Sequence, residues 1–184
     1  QLDAKTPIVL YVGSEEPRQN LITLIKALSS LKQRGVKFQF IKVGSPSWPN
    51  GRETFISQLK KHGIYENTKI MGYVDEADLP SVYSLATVFA YPCEYTGFGL
   101  PPLEAMACGC PVISSNASSL PEVVGKAGIL LPPHDVSKFE SAIESLSKSK
   151  TLRDKYSKLG IAQSKKFSWD AAAKETVALY EKLI

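Results

Sequence analysis

The sequence alternates short runs rich in β-branched and aromatic residues with longer segments whose apolar residues recur at helical spacing. This alternation predicts consecutive βαβ units and therefore a parallel sheet. Pro7 to Val12 is almost continuously apolar, as in a strand buried on both faces. Apolar residues then recur every three or four positions from Leu21 to Leu31, and this helix should close at Gly35. With 184 residues, the chain is predicted to form one α/β domain with helices on both faces of its sheet.

The same alternation continues to residue 131 and then stops. Further strands are predicted at Val36 to Val43, Thr68 to Met71, Thr87 to Tyr91, Val112 to Ile113 and Gly128 to Leu131. Further helices are predicted at Arg52 to His62, Asp78 to Leu85, Pro101 to Cys108, Val136 to Ser147, Leu152 to Lys165 and Trp169 to Leu183. The last three helices follow one another without a linker or a low-complexity tract.

Charge and hydropathy argue against nucleic acid as the main partner and against a membrane-spanning segment. The net charge is +4 and its positive residues are dispersed, so nucleic acid is not expected to be the main partner. No apolar run approaches the roughly 20 residues of a membrane span, and no basic segment followed by an apolar one opens the chain. We therefore expect a soluble chain that carries no export signal.

The cysteines and histidines do not form a ligand pattern. Cys93, Cys108 and Cys110 are an odd number for a disulfide framework, and we expect three buried free thiols in a reducing compartment. His62 and His134 each stand alone. No metal site is predicted.

Glycine recurs where the predicted strands end. Gly13, Gly44 and Gly72 follow the first three strands, and Gly97 and Gly99 follow the fourth. Parallel sheets bind ligands at the carboxyl ends of their strands, and glycine allows a ligand to approach the backbone closely. The candidate functional residues are therefore expected on one edge of the sheet.

The segment from Thr96 to Glu104 carries the most chemical information. Its two glycines allow N–H groups to converge at the positive end of the next helix, which favours an anion. Glu104 is expected in the first turn of that helix, where its carboxylate could accept hydrogen bonds from a vicinal diol such as a ribose. The alternative is a helix-capping glutamate beside a glycine turn. The spacing matches neither the dinucleotide fingerprint nor the phosphate loop of nucleoside triphosphatases.

The run YPCEYTGFGLPPLEAMACGCPVISSNASSLPEVVGKAGILLPPHD closely resembles the C-terminal half of the GT-B fold glycosyltransferases of family 4. These are retaining enzymes that use nucleotide-diphosphate sugars. Pro7 to Leu28, Gly72 to Leu85 and Phe167 to Leu183 resemble other segments of the same half. The resemblance implies a Rossmann-like, donor-binding domain over residues 1–184, with an acceptor-binding N-terminal domain outside the chain.

In that family two glutamates separated by seven residues bind the donor. The resemblance assigns Glu104 to the second position, on the nucleotide ribose, and Thr96 to the first, near the donor sugar. Threonine is a departure, because it can hydrogen-bond a sugar hydroxyl but supplies no negative charge. Glu94 could substitute for the missing carboxylate, although two residues along a strand correspond to about 7 Å.

The first glycine loop also departs from the family pattern. Relatives show Pro-Arg-Lys-Asn where this chain has Pro17-Arg18-Gln19-Asn20, so one cation beside the donor diphosphate is replaced by an amide. Arg18 remains as a donor ligand, or is an ordinary surface arginine. If the diphosphate lies here, Gln19→Lys should tighten its binding.

Three further assignments follow from the resemblance. Gly72 and Tyr73 are assigned to the nucleotide base, although Tyr73 could simply cover apolar surface. Glu122 is expected to have a structural role at a helix start. Phe167, Trp169 and Tyr180 are expected to pack in the core or against another domain. The complete set of predicted donor-binding residues is Gly13, Arg18, Gln19, Gly72, Tyr73, Gly97, Phe98, Gly99, Leu100 and Glu104, with Thr96 and Glu104 as the catalytic candidates.

The resemblance implies a hexosyltransferase that acts on a glycan, lipid or other acceptor as part of a longer protein. We expect no metal or other cofactor, and a cytoplasmic location with peripheral association at the cytoplasmic face of a membrane. The isolated chain is expected to bind donor without transferring sugar. The alternative function is a non-catalytic nucleotide-sugar-binding or scaffold domain, suggested by Thr96 and Gln19 together. A GT-B type epimerase lacks a suitable carboxylate and histidine set.

Overall fold

A computed structural model describes residue 3 and residues 5–183. The predicted domain, residues 1–184, therefore includes four positions outside the described part. Over the described residues the strands are β1 (Ile8–Val12), β2 (Gln39–Val43), β3 (Thr68–Gly72), β4 (Val88–Tyr91), β5 (Val112–Ser115) and β6 (Ile129–Leu131). The helices are α1 (Leu21–Gln33), α2 (Gly51–Lys61), α3 (Leu79–Leu85), α4 (Leu100–Ala107), α5 (Leu120–Val124), α6 (Val136–Lys148), α7 (Lys150–Ser164) and α8 (Trp169–Glu181).

The strands form a single parallel sheet in the order β3-β2-β1-β4-β5-β6. The chain moves outward from β1 to β3, returns to the centre at β4 and moves outward again to β6. Right-handed crossovers therefore place the helices of the two halves on opposite faces. Accordingly, α1 packs against α2 and α6, whereas α4 packs against α3, α5 and α7. The predicted α/β, Rossmann-like fold is confirmed.

The core is centred on the two middle strands. Every residue of β4 is buried, and in β1 only the last residue is partly exposed. The rings of Tyr11 and Phe89 each stack with the ring of Tyr91, at centroid distances of 5.8 and 5.9 Å. The edge strand β3 instead alternates between exposed and half-buried residues. The central pair can therefore hold the loops that follow it in fixed positions.

Two strand boundaries differ from the sequence prediction by two or three residues. Strand β2 begins at Gln39 rather than Val36, because the N–H of Val36 still donates to the carbonyl of Leu31 at the end of α1, 3.0 Å away. The strand predicted at Val112 to Ile113 continues to Ser115, where its serines are buried against β4 and β6. For α5 the sequence predicted only where the helix starts, at Pro121.

Helix α8 does not contribute to the core. None of its residues is buried, and Trp169 at its first position is 81% exposed. Core packing of the aromatic residues of α8 is therefore wrong as a prediction. Their contact with another domain stays a prediction.

Candidate functional site

The order of the strands marks one position at the carboxyl edge of the sheet. The connection from β1 leads to β2 on one side, and the connection from β4 leads to β5 on the other. Between β1 and β4 the two connections diverge and leave a crevice, which is where open α/β sheets bind ligands. The crevice is bordered by residues 13–20 after β1, called here the first loop, and residues 92–99 after β4, called here the second loop.

Hydrogen bonds to backbone carbonyls fix the two loops to each other. The Asn20 side-chain amide donates to the carbonyl of Pro92 at 3.1 Å and to that of Pro133, after β6, at 2.6 Å. The N–H of Glu94 donates to the carbonyl of Arg18 at 2.8 Å. Asn20 itself adopts a left-handed conformation with φ of 51°, which asparagine tolerates better than most residues. These hydrogen bonds therefore hold the two loops that border the crevice in fixed positions relative to each other.

The glycines that end the first three strands permit close backbone contact. The N–H of Gly44 lies 2.6 Å from the carbonyl oxygen of Gly72, and a Cβ on Gly44 would lie 2.5 Å from the carbonyl oxygen of Gly13. Gly44 and Gly72 also have positive φ angles of 114° and 69°. A side chain is therefore sterically excluded at Gly44, and both Gly44 and Gly72 have backbone conformations that glycine adopts without strain.

A buried charge cluster holds the first loop against β2. The ammonium of Lys42 lies 2.5 Å from the Oε1 of Glu15, and both side chains are essentially inaccessible. Arg52 contacts the same oxygen at 2.7 Å, and both cations also donate to the carbonyl of Gly44. Burial lowers the pKa of Lys42, and the hydrogen bond from Lys42 to Glu15 opposes this shift. This cluster was not predicted from the sequence, although a lysine inside a predicted strand of a parallel sheet was a signal for a buried partner.

The polar side chains of the first loop already have partners. Gln19 is buried, and its Oε1 accepts a hydrogen bond from the Tyr11 hydroxyl at 2.9 Å. Arg18 is half exposed and pairs with Glu16 at 2.5 Å, a contact that raises the pKa of Arg18. Arg18 is thus at the rim of the crevice, whereas the Gln19 side chain points into the fold. Their donor-binding roles stay predictions.

The second loop presents N–H groups that the fold leaves without acceptors. Within residues 5–183, the N–H groups of Gly97, Phe98 and Gly99 make no hydrogen bond. They precede α4, whose second and third residues are prolines and carry no N–H. Donors at the positive end of an eight-residue helix form a site suited to an anion.

Serines after β5 orient these peptide groups. Ser118 donates to the carbonyl of Thr96 at 2.7 Å, and Ser119 donates to the carbonyls of Thr96 at 3.2 Å and Phe98 at 2.7 Å. All the peptide bonds described are trans, so each N–H points away from the carbonyl of the same peptide group. The N–H groups of Gly97 and Gly99 therefore point away from the serines.

Glu104 lies deeper in α4 than the sequence suggested. It is the fifth residue of the helix and belongs to its second turn, so its predicted position in the first turn is wrong. The helix begins at Leu100, before the two prolines. The Oε2 of Glu104 accepts a hydrogen bond from the Tyr83 hydroxyl at 2.8 Å. Burial and the Glu104 carboxylate together raise the pKa of Tyr83 strongly.

The other candidates lie on the same edge with different exposure. Thr96 is half-buried, with its carbonyl held by the serines. Glu94 is exposed and lies 3.6 Å from the Nε2 of His134. Tyr73 is 71% exposed beside Gly72. None of the described side chains encloses Tyr73, and its contact with a base stays a prediction.

An apolar cavity of about 490 Å³ adjoins the second loop. Phe98 and Leu100 line it from the loop and α4, and Phe167 and Trp169 line it from the start of α8. The rings of Phe98 and Phe167 meet edge to face at 5.8 Å. The side chains of Phe98 and Leu100 therefore face this cavity, while the backbone of the second loop carries the free donors.

Comparison with known proteins assigns the family. Residues 1–163 match the model of the glycosyl transferases group 1 family. This chain belongs to that family. It is 39% identical over 176 residues to the O-antigen chain mannosyltransferase B of Escherichia coli, an alignment that covers 95% of this chain and 45% of the relative. It is 33% identical over 181 residues to the serotype-specific mannosyltransferase WbdA of Escherichia coli, and that alignment covers 96% of this chain and 22% of the relative.

Solved structures support the fold. Sucrose-phosphate synthase from Thermosynechococcus elongatus superposes with a TM-score of 0.88 at 31% identity, over 99% of this chain and 46% of that one. HepE from Anabaena in complex with UDP-glucose superposes with a TM-score of 0.85 at 18% identity, over 97% and 49%. The chain thus spans half or less of the length of these relatives.

The described residues contain neither a group of side chains suited to a metal ion nor a helix suited to a membrane. No three or more histidine, cysteine or acidic side chains within residues 5–183 are grouped so that they could bind a metal ion. Likewise, none of the helices described is long and apolar enough to cross a membrane.

Proposed function

We propose that this chain is the nucleotide-sugar-binding, C-terminal domain of a retaining GT-B glycosyltransferase of family 4. One observation carries the proposal: three unpaired N–H groups, at Gly97, Phe98 and Gly99, are held at the crevice and at the positive end of α4. Such donors match a diphosphate, whose oxygens accept hydrogen bonds and carry negative charge.

Each loop would contact one part of the donor. The diphosphate binds the N–H groups of the second loop, and Arg18 leaves Glu16 to pair with a phosphate. The ribose binds Glu104, and the base lies beside Gly72 and Tyr73. Thr96 hydrogen-bonds the sugar and is, with Glu104, a catalytic candidate. The helix end and Arg18 supply positive charge, so no metal is required.

The relatives suggest the sugar and the surroundings. Since the Escherichia coli relatives are mannosyltransferases, we propose mannose as the hexose transferred and a glycan or lipid as its acceptor. The acceptor would bind an N-terminal domain of the same protein, which would work in the cytoplasm and associate peripherally with the membrane.

Thermal shift with a panel of donors tests the proposal. The panel contains the uridine, guanosine and adenosine diphosphates and their mannose or glucose conjugates. A ligand that binds only the folded chain raises its stability by RT ln(1 + [L]/Kd), so one base should raise the melting temperature selectively. No response to any of them would refute donor binding.

The isolated chain is expected to bind donor without catalysing transfer. Half of the cleft cannot hold an acceptor against the donor, and lost positioning removes about 7 to 11 kcal/mol of barrier lowering. Sugar transfer by this chain alone at ordinary enzyme rates would contradict the assignment of acceptor binding to another domain.

A second candidate is a donor-binding or scaffold domain without catalytic function. Two observations favour it: Thr96 provides no carboxylate, and the Gln19 amide is engaged by Tyr11. Joined to an N-terminal domain, the chain would then bind donor without turnover. Restoring the missing carboxylate with Thr96→Glu distinguishes the two, because only a decayed active site should gain activity.

A further inference from the structure

The only hydrogen bond that connects α3 with α4 through side chains, among the residues described, joins Tyr83 to Glu104. Tyr83 is 1% exposed, and its hydroxyl lies 2.8 Å from the Oε2 of Glu104. A buried hydroxyl requires an acceptor, and a carboxylate is a stronger one than a neutral oxygen.

The Tyr83 ring has little freedom to move. It packs edge to face against Phe89 in the central strand β4, with the centroids 5.7 Å apart. A fixed ring places its hydroxyl at a fixed point, so the oxygen of Glu104 that accepts from it is fixed as well. The flexible glutamate side chain therefore loses its rotamer freedom when the chain folds rather than when a ligand binds.

The other oxygen of Glu104 remains available. No residue described donates a hydrogen bond to Oε1, and Glu104 as a whole is only half-buried. A carboxylate with one oxygen anchored and one open can accept from a ligand hydroxyl without rearranging.

We propose that Tyr83 is a positioning residue that holds Glu104 in the orientation in which it receives the ribose hydroxyls of a nucleoside diphosphate. This inference rests on the proposed function, since it needs a nucleotide whose ribose lies at Glu104. Tyr83 itself does not touch the ligand. It acts only through the carboxylate, which distinguishes it from the donor-binding residues of the two loops.

The test compares ribose with 2′-deoxyribose ligands by calorimetry. The uridine, guanosine and adenosine diphosphates are each titrated in both forms into the parent chain and into Tyr83→Phe, Glu104→Ala and the double variant. Tyr156→Phe is the matched control, because it removes a tyrosine hydroxyl from α7. Its neighbour Ser157 lies against Gly109, past the end of α4 opposite to the second loop. Circular dichroism verifies the fold of each variant.

We expect the parent to bind the ribose form about tenfold more tightly than the deoxyribose form, the value of one hydrogen bond to a charged group. Tyr83→Phe should remove most of this preference by weakening the ribose form, whereas the deoxyribose form, which keeps only its 3′-hydroxyl for Glu104, should be weakened less. Adding Tyr83→Phe to Glu104→Ala should change neither affinity. A purely structural tyrosine would weaken both forms equally.

The outcomes separate the two proposals. If Glu104→Ala loses the ribose preference and Tyr83→Phe keeps it, the positioning role of Tyr83 is wrong and donor binding stands. If both variants keep the preference, the ribose is not at Glu104, and both assignments are withdrawn. If no diphosphate binds the parent, the proposed function fails and the role of Tyr83 fails with it.

Discussion

Lys42 and Glu15 form an ion pair inside the protein, with the ammonium 2.5 Å from the carboxylate and almost no accessible surface on either side chain. Lys42 belongs to β2 and Glu15 to the first loop, so the pair fixes that loop to the sheet. The Oε2 of Glu15 has no hydrogen-bond partner among the residues described. The negative charge of this carboxylate is therefore compensated only by the two cations at Oε1.

Lys42→Met should lower the free energy of unfolding by about 3 to 5 kcal/mol, because it leaves a buried carboxylate with Arg52 as its remaining cation. Urea unfolding monitored by circular dichroism measures the change. Adding Glu15→Gln to Lys42→Met should recover part of the loss, because the buried charge that only Arg52 still compensates is then removed.

Lys138→Met is the matched control for this experiment. Lys138 pairs with Asp135 at 3.0 Å, but on the surface, where solvent screens the attraction. Its loss should leave the unfolding curve nearly unchanged. A comparable effect of both substitutions would contradict a special role for the buried pair.

Ser119→Ala should weaken nucleoside diphosphate binding about fivefold, the equivalent of roughly 1 kcal/mol for a neutral hydrogen bond. Ser119 holds the carbonyls of Thr96 and Phe98, so its loss frees the peptide groups that present the donors of the second loop. Calorimetry measures the dissociation constant.

Ser141→Ala serves as the control, since Ser141 also donates to a backbone carbonyl, that of Ser137, but on the distant helix α6. The Ser141 variant should bind like the parent. Equal dissociation constants for Ser119→Ala and the parent would show that the serines do not orient the anion site.

Stability should fall as the pH rises above about 9 to 10. Burial raises the pKa of Tyr11, Tyr83 and Tyr91 above 10.0, and raises those of the three cysteine thiols above 9.0. Acids with a raised pKa in the folded state keep their protons while the unfolded chain loses them, so deprotonation favours unfolding.

Lys42 acts in the opposite direction, because its pKa is lowered from 10.5 and the folded state then binds fewer protons than the unfolded chain. The single lysine does not offset the three tyrosines and three cysteines, so the free energy of unfolding should decrease with rising pH. Urea unfolding between pH 8 and pH 11 measures it, and tyrosinate absorbance should show the buried tyrosines ionising together with unfolding. A stability that rises over this interval would contradict the burial of these groups.

The sequence was sufficient to predict the sheet, because strands buried on both faces leave a continuous apolar signal. It was also sufficient to predict which loops share an edge. Gly44, for example, must lack a side chain since the Gly13 backbone occupies the space of a Cβ. A steric requirement of this kind acts at a single position, so the residue type found there indicates it.

Side-chain direction and long-range pairing were not predictable from the sequence in the same way. Tyr83 and Glu104 are 21 positions apart, and only the packing of α3 against α4 brings them together. Gln19 points inward because the 3₁₀ turn Pro17–Gln19 and the left-handed Asn20 rotate the chain there. Neither the composition nor the spacing of residues predicts the direction of the Gln19 side chain.

Gln19→Lys is the substitution for which the sequence and the structure give opposite expectations. From the sequence alone, a lysine at this position adds a cation beside the donor diphosphate, and binding should tighten about tenfold through a net gain near 1.4 kcal/mol. In the structure the Gln19 side chain is buried and accepts a hydrogen bond from the Tyr11 hydroxyl. Lysine has no acceptor, so the substitution leaves the Tyr11 hydroxyl without this partner and places an ammonium in a buried site.

We therefore expect Gln19→Lys to lower the free energy of unfolding by about 1 to 3 kcal/mol and to leave the affinity for nucleoside diphosphates unimproved. Gln19→Glu is the matched comparison, because a carboxylate still accepts from Tyr11 but repels a phosphate. Titrations at low and high salt separate the effects, since screening over about 10 Å at 0.1 M weakens only a direct contact with the phosphates. A salt-dependent, tenfold gain for Gln19→Lys would mean that this side chain turns toward the crevice when the donor binds.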